Sequence, residues 1–243
     1  MTWIVDLSGD QQTLRQLQNG FGGETPVLLV DGQYQFDPAI FAQSGDYETT
    51  KTIAHREVDL LNGYIRIFLF GKQRIDVGNI SRKLPDQPKV HYASIEERLV
   101  LSARLVGFTL GGDEAVILRQ ENGPGLNAWR ELVQKDPAAE DVLKYVQGSL
   151  DDWTNLARII EIIEHDVGKP ADFIATGWVD GRRLKAFHAT ANNPLVAGVT
   201  ARHGARRFET PKLTMDINEA RQLVLNVVQK WIAARIAAAA GGD

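Results

Sequence analysis

The chain reads as an α+β protein: an N-terminal, mostly antiparallel sheet region with one helix over residues 1–122, then an all-α helical bundle over 123–243. Three observations predict this. Asp31-Gly32 sits between the apolar runs 26–30 and 33–36, the signature of a tight hairpin. Glycine and proline (Gly71, Gly78, Pro85, Pro88, Gly111-Gly112) punctuate the first half at short intervals, leaving connections that suit antiparallel neighbours. Past Glu121-Asn122-Gly123-Pro124-Gly125 the apolar period changes from two to that of a helix, which places a boundary near 121–125.

After the hairpin and the Asp37-Pro38 turn, residues 45–62 predict a helix with Ile53, Leu60 and Leu61 inward, ended by Gly63 as a left-handed cap. The run Tyr64-Ile65-Arg66-Ile67-Phe68-Leu69-Phe70 is too rich in branched and aromatic residues for an exposed helix and predicts a strand. Further strands are expected at 74–80, 89–93, 98–108 and 114–119, with a helix as the alternative over 96–106. In the second half, Asp136-Pro137 with Glu140 marks a helix start. Asp151 or Asp152 opens the next helix, with Trp153, Leu156, Ile160 and Ile163 on one face and Gly168 and Pro170 at its end. A short helix is expected over 172–178. Another, over 180–190, turns Leu184 and Phe187 inward and leaves Arg182, Arg183 and Lys185 wet before an irregular loop. The last helix starts at Asp216 with Glu219 completing a capping box, buries Ala220, Leu223, Val224, Val227 and Trp231, and frays beyond Ile236.

Composition narrows the function classes. With 44% hydrophobic and 24% charged residues the chain suits a folded core, which argues against disordered and low-complexity readings. It has no cysteine, so disulfides, a thiol nucleophile, iron–sulfur clusters and thiolate zinc sites are excluded. The start MTWIVDLSGD lacks the basic-then-apolar order of a signal peptide, and the apolar tail 232–240 is broken by Arg235; a cytoplasmic protein without a membrane span is expected. Neither Gly22-Gly23 nor Gly111-Gly112 belongs to a P-loop or a Rossmann turn, and no serine stands in a Gly-x-Ser-x-Gly elbow. The five tryptophans mostly fall on apolar helical faces and are read as core.

A net charge of −4 conceals two blocks of opposite sign. Residues 131–180 hold eleven acids against four bases, whereas 182–212 hold seven bases against one acid, with His188 and His203 among them. The basic block carries the candidate site: His188, Asn192, Asn193, Arg202, His203, Arg206 and Arg207, with Arg183 five residues before His188. Imidazole exchanges protons near neutral pH, guanidinium grips phosphate with two parallel hydrogen bonds, and Asn orients either group. The alternative is that Arg202, Arg206 and Arg207 neutralise the acidic helices at 131–166, with Asn192 and Asn193 capping a loop. Glu161 and His165, four apart, have the spacing of two metal ligands, but the two histidines of a zincin helix are absent and no metal or other cofactor is expected. His55-Arg56-Glu57 is read as solvated surface, and His91 as an unremarkable strand residue.

On these residues the stretch 127–236 resembles a HEPN-type helical bundle of prokaryotic toxin and defence proteins. The likeness rests on the acidic helix 151–165 with Trp153 and Glu161, the helix and loop carrying Asn192 and Arg202-His203-Gly204, and a closing helix. The whole chain is also similar to two-part bacterial proteins. The resemblance implies metal-free RNA cleavage at a dimer interface by an Arg, a polar residue, spacers and a His. Arg202 is followed by polar His203, while Arg206, Arg207 and Phe208 occupy the neighbourhood of the second histidine. Arg183 and His188 meet the spacing, with Leu184 after the arginine. The expectation is therefore an RNA- or nucleotide-binding protein in which His203 or His188 takes a proton, Arg202 and Arg183 hold the phosphate, and Asn192, Asn193, Arg206 and Arg207 bind substrate. The alternative is a non-enzymatic interaction module whose sheet region meets a protein partner. Complementary charge blocks favour a homo-oligomer under either reading.

Overall fold

Alternating apolar residues in the first strand organise the sheet. In the computed structural model, which describes residues 2–19, 25–69, 71, 73–84, 90–92, 123–203 and 209–241, β1 (Thr2–Gly9) buries Trp3, Val5 and Leu7 on one face. Among the described residues it is the central strand of a five-stranded sheet, joined by β2 (Val27–Val30), β3 (Gln33–Phe36), β4 (Ile75–Lys83) and β5 (Val90–Tyr92) in the order β2-β3-β1-β4-β5. Every described pairing is antiparallel. The β2–β3 turn has φ of 52° at Asp31 and 81° at Gly32, the two positive values that a right-twisted two-residue hairpin needs. The strands expected at 98–108 and 114–119, and the alternative helix at 96–106, lie outside the described residues.

Among the described residues two α-helices, rather than the one expected, accompany the sheet. The short α1 (Gln11–Gln18) begins where the Asp10 carboxylate accepts the Thr13 N–H at 2.8 Å and buries Thr13, Leu14 and Leu17. Then α2 (Tyr47–Phe68) opens on Asp46, which accepts the Thr49 N–H at 2.8 Å. It does not stop at Gly63, so the cap expected there and the strand expected from Tyr64 are corrected: residues 64–68 continue the helix. Tyr64, Ile65 and Ile67 are buried because this half of α2 lies between the sheet and the C-terminal helices, and a helix enclosed on more than one side loses the polar face that distinguishes it from a strand. Gly63 serves close approach instead, since a Cβ there would lie 2.1 Å from Leu143 Cδ1. Exchange of a mid-helix glycine for alanine ordinarily gains about 0.5–1 kcal/mol. Gly63→Ala is expected to lose stability, because overpacking costs about 1–3 kcal/mol; a lowered urea midpoint would show it. Glu57 is also corrected, from solvated surface to a buried carboxylate held by Arg130 Nη2 at 2.9 Å, while His55 and Arg56 are exposed.

The second half is helical as expected. α3 (Leu126–Lys135) leads into α4 (Pro137–Gln147), capped by Asp136, and α5 (Trp153–Val167), capped by Asp152 and ended by Gly168 at φ 111°. Trp153, Leu156, Ile160 and Ile163 are all buried on α5. α6 (Pro170–Ala175) starts two residues earlier than expected. α7 (Gly181–Ala191) is followed by a single-turn helix α8 (Pro194–Ala197) and a 3-10 turn (Gly198–Thr200) where an irregular loop was expected. α9 (Ile217–Ala240) remains helical past Ile236, correcting the expected fraying. By length and composition α9 could cross a membrane, but Leu223, Val224, Val227, Val228, Trp231 and Ile232 are buried, and the helix packs on α2, α3 and α5. The same buried core runs from Trp3 and Phe36 in the sheet through Trp129 to Trp153 and Trp231.

Candidate functional site

The candidate residues are positioned by α5, α7 and the chain that follows α7. Asp180 accepts the Arg183 N–H at 3.0 Å and starts α7. The helical period then buries Leu184, Phe187 and Ala191 and leaves Arg182, Arg183 and Lys185 exposed, with His188 and Asn192 half-buried near the C-terminal end. The chain reverses at Asn193, whose Oδ1 accepts the Leu195 N–H at 2.9 Å to start α8 and whose Nδ2 donates to the Glu209 carbonyl at 2.8 Å. Two further bonds return it to the helices. Thr154 on α5 donates its hydroxyl to the Thr200 carbonyl at 3.0 Å, and the Arg202 N–H donates to the Ala191 carbonyl at 2.8 Å.

This return path brings two bases onto neighbouring acids. Glu161 and Glu164, three residues apart, share one face of α5. His188 Nε2 lies 2.9 Å from Glu164 Oε1, and Arg202 Nη1 lies 2.7 Å from Glu161 Oε1. The second contact is an ion pair without aligned hydrogen-bond geometry. Asn192, one turn after His188 in sequence, has a buried Oδ1 with no hydrogen-bond partner among the described residues. A cleft of about 480 Å³ opens beside this group, lined by Lys185, His188, Ala189, Asn192, Asn193 and Glu209.

The remaining candidates take other places. Arg183 is five residues from His188 on one helix and so roughly 140° around it; its Nη2 meets Glu219 Oε1 on α9 at 3.1 Å. Glu219 is thereby drawn to Arg183, while Asp216 alone caps α9 by accepting the Asn218 and Glu219 N–H groups. His203 is exposed next to Arg202. Arg206 and Arg207 lie outside the described residues. Glu161 pairs with Arg202 and His165 is exposed, and among the described residues no cluster of three His, Asp or Glu forms a metal-binding group.

Sequence reasoning missed Glu164 as the partner of His188, and Lys185 as a cleft residue. The available signal was an acidic helix face with i,i+3 carboxylates ahead of a basic block; it indicated neutralisation without identifying the pairs. Chemically, a carboxylate on one ring nitrogen of His188 fixes the ring and its tautomer and leaves the other nitrogen for proton exchange. The partly exposed Arg202 fork retains donors beyond the nitrogen that meets Glu161. No family model, curated protein or solved structure matches the chain.

Proposed function

We propose that the chain binds RNA or a nucleotide at the His188 cleft and cleaves an RNA phosphodiester there without a metal. The observation that carries this reading is the His188–Glu164 pair at the wall of a cleft with Lys185 beside it. With its Nε2–H donated to Glu164, His188 keeps the lone pair on Nδ1. That nitrogen accepts the proton of a ribose 2′-OH as the 2′-oxygen bonds to the adjacent phosphorus. The P–O5′ bond breaks, leaving a 2′,3′-cyclic phosphate and a 5′-hydroxyl. The leaving oxygen takes its proton from an imidazolium, a role we give to His203. Arg202 and Lys185 offset the charge that builds on the phosphoryl oxygens. Arg183, held on α9, has no part in this step.

The test is incubation of structured and single-stranded RNA with the protein in EDTA. Fragments ending in cyclic phosphate are expected, reduced about 10²–10⁴-fold in His188→Ala, as for loss of a general base. Glu164→Gln, which retains a hydrogen-bond partner for the ring but removes the charge, is expected to lose less than His188→Ala. Cleavage unchanged in His188→Ala would remove that residue from the site.

A second reading rests on its own observations. Arg183 and Arg202 pair with Glu219 and Glu161 within one subunit, and Leu195 and Val199, between those two arginines in the sequence, are 54% and 104% exposed. Charges spent internally beside exposed apolar side chains suit a protein-interaction module that self-associates. Salt separates the two readings: RNA retention through phosphate contacts falls steeply and log-linearly with salt, whereas an apolar interface changes little. A monomeric mass that Leu195→Ser leaves unchanged, together with RNA cleavage, would leave only the first reading.

A further inference from the structure

A concavity larger than the His188 cleft lies elsewhere. It measures about 790 Å³ and is lined by Arg66 of α2, Ser149, Leu150 and Asp151 of the α4–α5 connection, and Arg221 and Leu225 of α9, among others. It shares no lining residue with the His188 cleft. Its two guanidinium groups differ in how their charge is met. Arg221 is fully engaged: it pairs with Asp151, donates from Nη1 to Asn218 Oδ1 at 3.2 Å, and directs Nε to the Leu150 carbonyl at 3.4 Å. Arg66 is half-buried, and its Nη1 donates to the carbonyls of Val146 and Gly148 at 2.7 and 2.5 Å. These are neutral acceptors at the C-terminal end of α4, and no carboxylate meets Arg66 among the described residues.

We propose that this concavity binds the carboxylate of a small organic acid, with Arg66 as its cationic anchor and Leu150 and Leu225 against the apolar body. Three features choose the class. With Arg221 neutralised by Asp151, and Arg74 outside the lining and facing Asp59 at 3.8 Å, one positive charge remains in the wall, which matches a singly charged carboxylate better than a doubly charged phosphate. Arg66 still holds Nε and Nη2 donors, enough for the two parallel bonds a carboxylate accepts. Leu225 is buried and Leu150 partly so, giving an apolar wall beside the charge, and the volume falls within the usual range for small-molecule sites. Burial, with Arg74 nearby, pushes the Arg66 guanidinium below its ordinary pKa, in keeping with a charge that lacks an anion.

Hexanoate, its neutral counterpart hexanamide, and inorganic phosphate are the probes, titrated calorimetrically into the full chain. Hexanoate is expected to bind, and hexanamide and phosphate to bind more weakly. Arg66→Gln should weaken hexanoate by tenfold or more, roughly the loss expected when one partner of a buried charge pair is removed. Because Arg66 also holds the end of α4, a second variant guards the conclusion. Gln222→Glu sets a carboxylate on the exposed wall, leaves the Arg66 bonds in place, and should weaken hexanoate as well. The proposal is overturned if wild type does not bind hexanoate, if phosphate binds more tightly, or if both variants bind hexanoate as wild type does.

Discussion

Asn62→Ala is expected to destabilise the fold by about 2–6 kcal/mol, the sum of two buried backbone groups left unpaired at about 1–3 kcal/mol each. Asn62 is 1% exposed on α2, and its amide holds both backbone groups of Ile75, the first residue of β4. Its Nδ2 donates to the Ile75 carbonyl and its Oδ1 accepts the Ile75 N–H, each at 2.9 Å. One side chain thus gives the start of β4 the pairing that a neighbouring strand would supply, and ties the helix to the sheet. Asn62→Asp distinguishes this from lost packing. The aspartate still accepts the Ile75 N–H, but its second oxygen faces the Ile75 carbonyl, so it too should be unstable near neutral pH. Protonation restores a donor. The folded-state pKa of that carboxyl would be raised, so its protonated form is favoured, and the deficit of Asn62→Asp relative to wild type should shrink as pH falls through that pKa. Urea unfolding of the three proteins at two pH values measures it, and an equal deficit at both would show that the amide bonds are not what stabilises this contact.

The same residue shows where the sequence was legible and where it was not. Local chemistry was readable because it depends only on neighbours: Asp31-Gly32 makes the hairpin, Asp136, Asp152, Asp180 and Asp216 start helices, and Gly168 ends one. Asn62-Gly63 resembles a helix end by the same local logic. Its purpose is tertiary, since Asn62 binds β4 and Gly63 admits Leu143, and neither partner is near in sequence. The following apolar run then imitates a strand because helix burial on more than one side erases the period. α1 escaped notice because a glutamine-rich eight-residue helix carries little periodic signal, whereas β1 was legible in the alternation of Trp3, Val5 and Leu7 and was overlooked because that start was read only for a signal peptide. At the site, the exposure of Arg182, Arg183 and Lys185 followed from α7 periodicity, whereas the pairing of His188 with Glu164 required knowing how α7 lies on α5.

Asp136 is the second position at which a large loss is expected, because one carboxylate joins three helices. Its Oδ1 accepts the Ala138 N–H at 2.9 Å and caps α4. Its Oδ2 accepts from Arg235 Nε at 2.8 Å and also from Nη2, tying α4 to α9. Arg235 Nη1 continues to Asp166 Oδ1 at 3.3 Å, and Asp166 Oδ2 accepts Trp231 Nε1–H at 2.8 Å, closing the chain onto the end of α5. Asp136 is 9% exposed, and its hydrogen bond holds the Arg235 guanidinium above its ordinary pKa. Breaking a fully buried pair costs about 3–5 kcal/mol; here the Arg235 side chain is 39% exposed, so solvent screens part of it. With the cap lost as well, Asp136→Ala should lose about 2–4 kcal/mol. Asp136→Asn retains the cap and should lose less, while Arg235→Ala spares the cap but leaves Asp136 without its cation. If the network acts as a unit, the Asp136→Ala/Arg235→Ala double variant will be more stable than the sum of the single losses predicts, by about 0.5–3 kcal/mol. Simple additivity in thermal or denaturant unfolding would mean that the cap alone accounts for the effect of Asp136.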